Sequence, residues 1–227
     1  MTAKIKLNAA SGGGSFSLQA PSSSSNNRVI ALPDIADGTL VTSQSTLDAT
    51  KLSGNLPAIS GASLTGINSI SMVDQWRITT NSTLGGSVAT LNNNWERNDT
   101  TAYGNIGSAM SESSGLFTFP TTGIYYIQFN FICYTTSQQR YIGARIQTTT
   151  DGMSSAINAA DSYSNTGITD SNGCFASAIA TVTFDVTNTS THKIRFAGMS
   201  LTSSVTTIVS DSDRNQTCVT FIRLGDT

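Results

Sequence analysis

One block near the middle of the chain restricts the fold more than any other. From Gly115 to Phe131, aromatic or aliphatic residues recur at every second position on both sides of a Pro120-Thr121-Thr122-Gly123 corner. Strand side chains point alternately to opposite faces, so this spacing predicts strand, turn, strand with one buried face. Phe117, Phe119, Tyr125, Tyr126, Phe129, Phe131 and Phe221 are the expected core or trimer-contact positions; Tyr125, Tyr126, Phe129, Phe131 and Tyr134 mix even and odd positions, so both faces of that strand carry large apolar groups. In a lone sandwich the second face of a sheet meets water. Aromatics on both faces predict a sheet covered twice, once by its partner sheet and once by a neighbouring subunit. The plainer alternative is that one or two tyrosines stand exposed.

Composition narrows the class. Charged residues make up 11 % of the 227 residues, against about a quarter in an average soluble protein. Ser, Thr, Asn and Gly take their place, and no stretch carries a helical repeat, so an all-β chain is expected. The net charge is −2 and the twelve Lys and Arg are scattered, which disfavours nucleic acid as a partner. No apolar run reaches the roughly 18 residues of a membrane span. Three cysteines cannot all pair within one chain. Cys133 and Cys218 lie in apolar strand patterns and are expected as buried free thiols. With one histidine and no close cysteine pair, zinc is not expected. The first eight residues are charged but lead into no apolar segment, so export by the general route is not expected. A surface-type composition without such a leader suggests a virion component, assembled in a host cytoplasm and released by lysis.

Three regions are expected. Residues 1–45 hold short extended segments, with Ile5, Leu7, Phe16, Leu18, Val29 and Leu32 as candidate anchoring positions and Ser11–Gly14 as a break. Residues 46–72 carry isolated Leu and Ile between Ser, Gly and Ala, without a collagen period, and read as a neck in which three chains share one narrow core. The alternative there is a flexible linker. Residues 73–227 hold many short candidate strands, Gly123–Tyr134 and Cys174–Val186 among them, between Gly-, Asn-, Asp- and Ser-rich turns, and predict an antiparallel jelly-roll sandwich. The segment Asp151–Asn172 reads as a long polar insertion.

The block Phe117, Phe119, Pro120, Gly123, Tyr125 resembles the signature of complement-type heads, which are tumour-necrosis-factor-like jelly rolls. Trp76 on an opening strand, Tyr141–Ile146 on a middle strand and Cys218–Leu224 as a closing strand, with Phe221, extend the resemblance. Lys193–Phe196 stands where those heads carry a Gly-Asp-x-Val strand. The resemblance implies a homotrimer that binds surfaces and is not an enzyme. Residues Lys4–Pro21, Leu32–Asp34 and Gly38–Leu40 resemble a leader on marine (cyano)phage structural proteins, and Lys51–Gly61 resembles connectors in tail fibres and appendages. These resemblances imply a particle-attached trimeric appendage whose N-terminus contacts other virion proteins and whose head meets a host surface glycan or protein. Recognition is expected from Asp151–Asn172 and Ser210–Gln216. The alternatives are a capsid decoration or head fibre, a polysaccharide-depolymerising tailspike, and a secreted lectin-like trimer.

Catalytic chemistry finds little footing. His192 follows a Thr- and Ser-rich turn and is expected exposed. Paired carboxylates for glycoside cleavage are scarce in a chain with only two glutamates, Glu96 and Glu112. Asp211 and Asp213 are the candidate ligands for a cation such as calcium, against the plainer reading of a solvated turn. No other cofactor is expected.

Overall fold

In the computed structural model, residues 4–8, 11–19, 70–85, 87–167, 172–201 and 205–227 are described. The chain divides into two compact units, Met1–Ser60 and Gly61–Thr227. In the first, β1 (Lys4–Asn8) and β2 (Ser15–Gln19) pair antiparallel, opposing Ile5 to Leu18 and Leu7 to Phe16. Gly12 and Gly13 take positive φ in the turn between them, a conformation that glycine adopts without the Cβ clash other residues suffer. Val29, Leu32 and most of the expected neck lie outside the described residues.

The second unit contains β3 (Met72–Ile78), β4 (Ser82–Thr83), β5 (Val88–Thr90), β6 (Trp95–Arg97), β7 (Ser111–Ser113), β8 (Leu116–Thr118), β9 (Gly123–Thr135), β10 (Gln139–Thr149), β11 (Ile157–Thr166), β12 (Cys174–Val186), β13 (Lys193–Ser200), β14 (Thr206–Ile208) and β15 (Cys218–Gly225). No helix occurs among the described residues. One sheet runs β7-β8-β13-β10-β11, with β5 also on β13. The other runs β12-β9-β15-β3-β6. There β12 pairs along the whole of β9, so β15 and β14 follow one another along the opposite edge. All pairings are antiparallel.

The core lies between the sheets. Along β9 the odd residues Tyr125, Ile127, Phe129, Phe131 and Cys133 are fully buried, and the even ones are partly or more exposed. Phe117 touches the rings of Trp76, Trp95, Phe196 and Phe221 at centroid distances of 5.2–5.5 Å, which makes it the joint between the layers. Phe119 stacks near Tyr125. Phe129 and Phe131 lie next to each other, and Phe129 also meets Phe196. Gly198 permits this closeness, since a Cβ there would lie 2.6 Å from the Phe131 ring.

The corner is likewise built around a glycine. Gly123 sits at φ 142°, and a Cβ would fall 2.5 Å from both Arg223 Nε and the Gly225 carbonyl oxygen. Arg223 Nε donates to the Thr122 carbonyl and Nη1 to Ser71 Oγ. The entry to β3, the Thr122 corner and the end of β15 therefore meet at one end of the sandwich. β9 has thirteen residues, and at ~3.3 Å each it carries the chain about 40 Å to the opposite, far end.

Three expectations are corrected. Asp151–Asn172 is not one loop: its middle is β11, the edge strand beside β10, and its ends lie at opposite ends of the sandwich. His192 is not exposed. Only 8 % of its surface is open; its ring lies 5.6 Å from that of Phe184 and reaches the hydroxyls of Thr187 and Thr191. The turn folds back over β12, which a local reading of polar neighbours does not reveal. All three cysteines are free, but Cys218 is only half-buried where Cys133 is buried.

Candidate functional site

The register defines what the outer face of the β12-β9-β15-β3 sheet presents. Phe175 opposes Tyr134, Ser177 opposes Ile132, and Thr183, Tyr126, Ile222 and Val73 form one row across four strands. A second row runs Ile179, Asn130, Cys218 and Arg77. These residues have the parity opposite to the buried set. Phe175 is 69 % exposed and Ile179 51 %, with Ile124 and Leu224 also exposed. Across β9, β12 and β15 this face bears one charged side chain, Asp185, at the entry end. Tyr126 does lie on this second face and is half-buried, while Phe117, Phe119, Tyr125, Phe129, Phe131 and Phe221 belong to the interior of a single chain.

Arg77, on the same face, is fully buried beneath the chain from Glu96 to Thr100. Its guanidinium donates to Glu96, Asp99, Asn98 and Thr100. On the core side, fully buried Asp74 accepts from Trp76 Nε1, Arg97 Nε and the Met110 amide. These two networks satisfy buried charges as low-dielectric surroundings demand, and they fasten β6 and the following loop to β3.

At the far end the outer face runs into a cleft of about 430 Å³ lined by Tyr134, Phe175, Asn81, Asp211, Arg214 and Gln216, among others. The Tyr134 and Phe175 rings lie 5.1 Å apart, and Tyr134 Oη donates to the Asn172 carbonyl. Asp211 does not have the free carboxylate that a calcium ligand offers. Its Oδ1 accepts the amides of Asp213 and Arg214, and its Oδ2 accepts Nε and Nη2 of Arg214. Those bonds hold the Asp211 carboxyl below the usual carboxylate range. Asp213 is bound in through its backbone, its carbonyl accepting from Thr100 Oγ1. No cluster of three or more His, Cys, Asp or Glu suited to a metal occurs among the described residues. Of the expected recognition segments, Ser210–Gln216 lines this cleft. Phe175 was not singled out from the sequence; its parity relative to Tyr134 is the signal that finds it.

No family model matches the sequence, and no curated protein matches it significantly. Solved structures do match. Eiger, a tumour necrosis factor from S. frugiperda, is 8 % identical over 70 % of this chain and 96 % of its own, with a TM-score of 0.50. The fold is a tumour-necrosis-factor-like jelly roll. Murine APRIL is 11 % identical over 67 % of this chain and 98 % of its own, with a TM-score of 0.47. At such identities the likeness concerns architecture alone.

Proposed function

We propose that the protein is a non-catalytic attachment module: a homotrimeric phage appendage, of tail-fibre type, that joins the particle through its N-terminal segment and holds its jelly roll toward a host surface. The observation that carries this reading is the nearly uncharged outer face of the β12-β9-β15 sheet, where exposed Phe175, Ile179, Ile124 and Leu224 stand among neutral polar residues. β9 and β12, each ~40 Å long, and the eight-residue β15, ~26 Å long, lie ~4.8 Å apart and span a plane of about 500 Å², of the order of the ~800 Å² per partner of a standard interface. A second copy suits it, because two neutral faces meet without like-charge repulsion, whereas a charged partner gains nothing there. Exposed hydrophobic side chains gathered on one face among polar ones mark interaction sites. Placing chain entry at one end leaves the Ser210–Gln216 cleft at the other, where aromatic rings and planar polar groups suit a glycan.

Sedimentation equilibrium on the full chain tests the assembly, with a mass three times 23.8 kDa expected and a shift toward monomer in Ile179→Glu. A wild-type monomer at micromolar concentration overturns it. Gold-labelled antibody against residues 73–227 tests the setting. Label at phage tails is expected, label over capsids favours the decoration protein, and no label on particles removes the virion reading.

A further inference from the structure

A second cleft lies away from the outer face, where β3, β4 and β5 meet the turn before β6. It encloses about 290 Å³, the lower end of the roughly 300–1,000 Å³ range of small-molecule pockets. Its floor is apolar: Ile78, Leu84, Leu91 and Ile208 are buried core residues. Beside Gly85 and Ala89, its rim carries the carboxamides of Asn92, Asn93 and Asn94 and the hydroxyls of Ser82, Thr83 and Thr90. None of these six side chains hydrogen-bonds to another part of the described chain. Each combines donor and acceptor capacity, and among the described residues no Lys, Arg, Asp, Glu or His lines the cleft.

The rim is held in place without using those side chains. Thr79 N donates to the Asn94 carbonyl, Leu91 N to the Phe196 carbonyl, and Trp95 Nε1 to the Leu91 carbonyl. Asn94 takes a left-handed conformation, φ 62°, which asparagine tolerates better than most residues. The backbone thus accounts for an asparagine at position 94; Asn92 packs against Gly115, and neither Asn92 nor Asn93 makes a side-chain hydrogen bond within the described residues. With the rim backbone already held, a ligand need order only the rim side chains.

We infer that this cleft binds one neutral pyranose ring of a glycan. A sugar ring has apolar C–H faces and a girdle of hydroxyls that both donate and accept. The first suits the aliphatic floor and the second suits carboxamides. Phosphates and uronates are disfavoured, since burying their charge here would leave it without a counter-charge. The site differs from the far-end cleft and stands independently of trimer formation.

The test uses amide NMR on the isotopically labelled full chain, titrated with glucose, galactose, mannose and N-acetylglucosamine, and with glucuronate and glucose 6-phosphate as charged counterparts. At least one neutral sugar should shift Ala89, Thr90 and Asn92–Asn94 saturably at millimolar levels, and neither charged sugar should. The exposed double substitution Asn92→Ala with Asn93→Ala should weaken that binding by about tenfold or more, the equivalent of one or two hydrogen bonds. Its spectrum elsewhere should be unchanged. Saturable shifts confined to other surfaces, binding untouched by the double substitution, or no shift with any neutral sugar at tens of millimolar would each overturn the inference.

Discussion

Replacing Phe117 by alanine should cost the jelly roll about 4–5 kcal/mol, the top of the range for a large core aromatic. The ring is fully buried, on a three-residue strand, between four aromatic neighbours from β3, the start of β6, β13 and β15. Loss of the buried side chain contributes ~1.5–3 kcal/mol by transfer. A residual void on the order of 70 Å³ adds ~1.7 kcal/mol at about 24 cal/mol per Å³. Edge-to-face ring contacts add ~0.5–1.5 kcal/mol each beyond area, though they overlap with packing already counted. Urea unfolding followed by tryptophan fluorescence reads the change directly, because both tryptophans of the chain, Trp76 and Trp95, lie against this ring. Protein concentration must be held constant, since assembly shifts apparent stability. Phe117→Leu keeps most of the volume and should cost roughly half as much. A loss below about 1.5 kcal/mol for the alanine variant, at an unchanged denaturant slope, would refute the placement of Phe117 as the joint of the two sheets.

Asp74→Ala should cost about 3 kcal/mol or more, because it strands Arg97, the Trp76 indole N–H and the Met110 amide without their shared acceptor. Denaturation within 1 kcal/mol of wild type (about the error of the argument) would contradict that network. The hydrogen bonds from Arg145 hold the Asp161 carboxyl below its ordinary value. A carboxylate depressed on folding stabilises above its unfolded pKa, near 4, and that contribution fades as pH falls through the lower folded value. The stability difference between wild type and Asp161→Asn should therefore be constant above about pH 5 and shrink below about 4; a pH-independent difference would rule it out. Burial pushes the Cys133 and Cys218 thiols up to about 11, so at pH 8 only on the order of 0.1 % of either is thiolate. Iodoacetamide should then spare both in the native protein and modify all three cysteines in the unfolded chain; mass spectrometry showing native Cys133 alkylated at the unfolded rate would disprove the burial argument.

Long strands were legible because period two survives wherever one face is buried. The expected Cys174–Val186 matches β12 at both ends, and the expected Gly123–Tyr134 stops one residue short of β9. β11 was not legible. As an edge strand its residues Ile157 and Tyr163 are exposed and Ala160 is only half-buried, so no alternation marks it. β4, β6 and β7 span two or three residues, too few to display any period. The polar cleft at Asn92–Asn94 escaped for another reason: its floor joins Ile78 and Leu84 to Ile208, which is far along the chain.

Sequence by itself determined that the described residues are β-structure, the course of β9 and β12, and the Gly123 corner that leads from short β8 into β9. Those features follow from side-chain alternation and from local backbone sterics, which act over a few residues. Only the tertiary structure decided which apolar parity of β9 is interior, that Asp74 and Arg77 are buried charges, that Asp211 caps its own loop, and that His192 packs on Phe184. The first two depend on strand pairing between residues far apart in the chain, and a one-residue change of register would exchange the two faces; the last two are turn geometries that no sequence period marks.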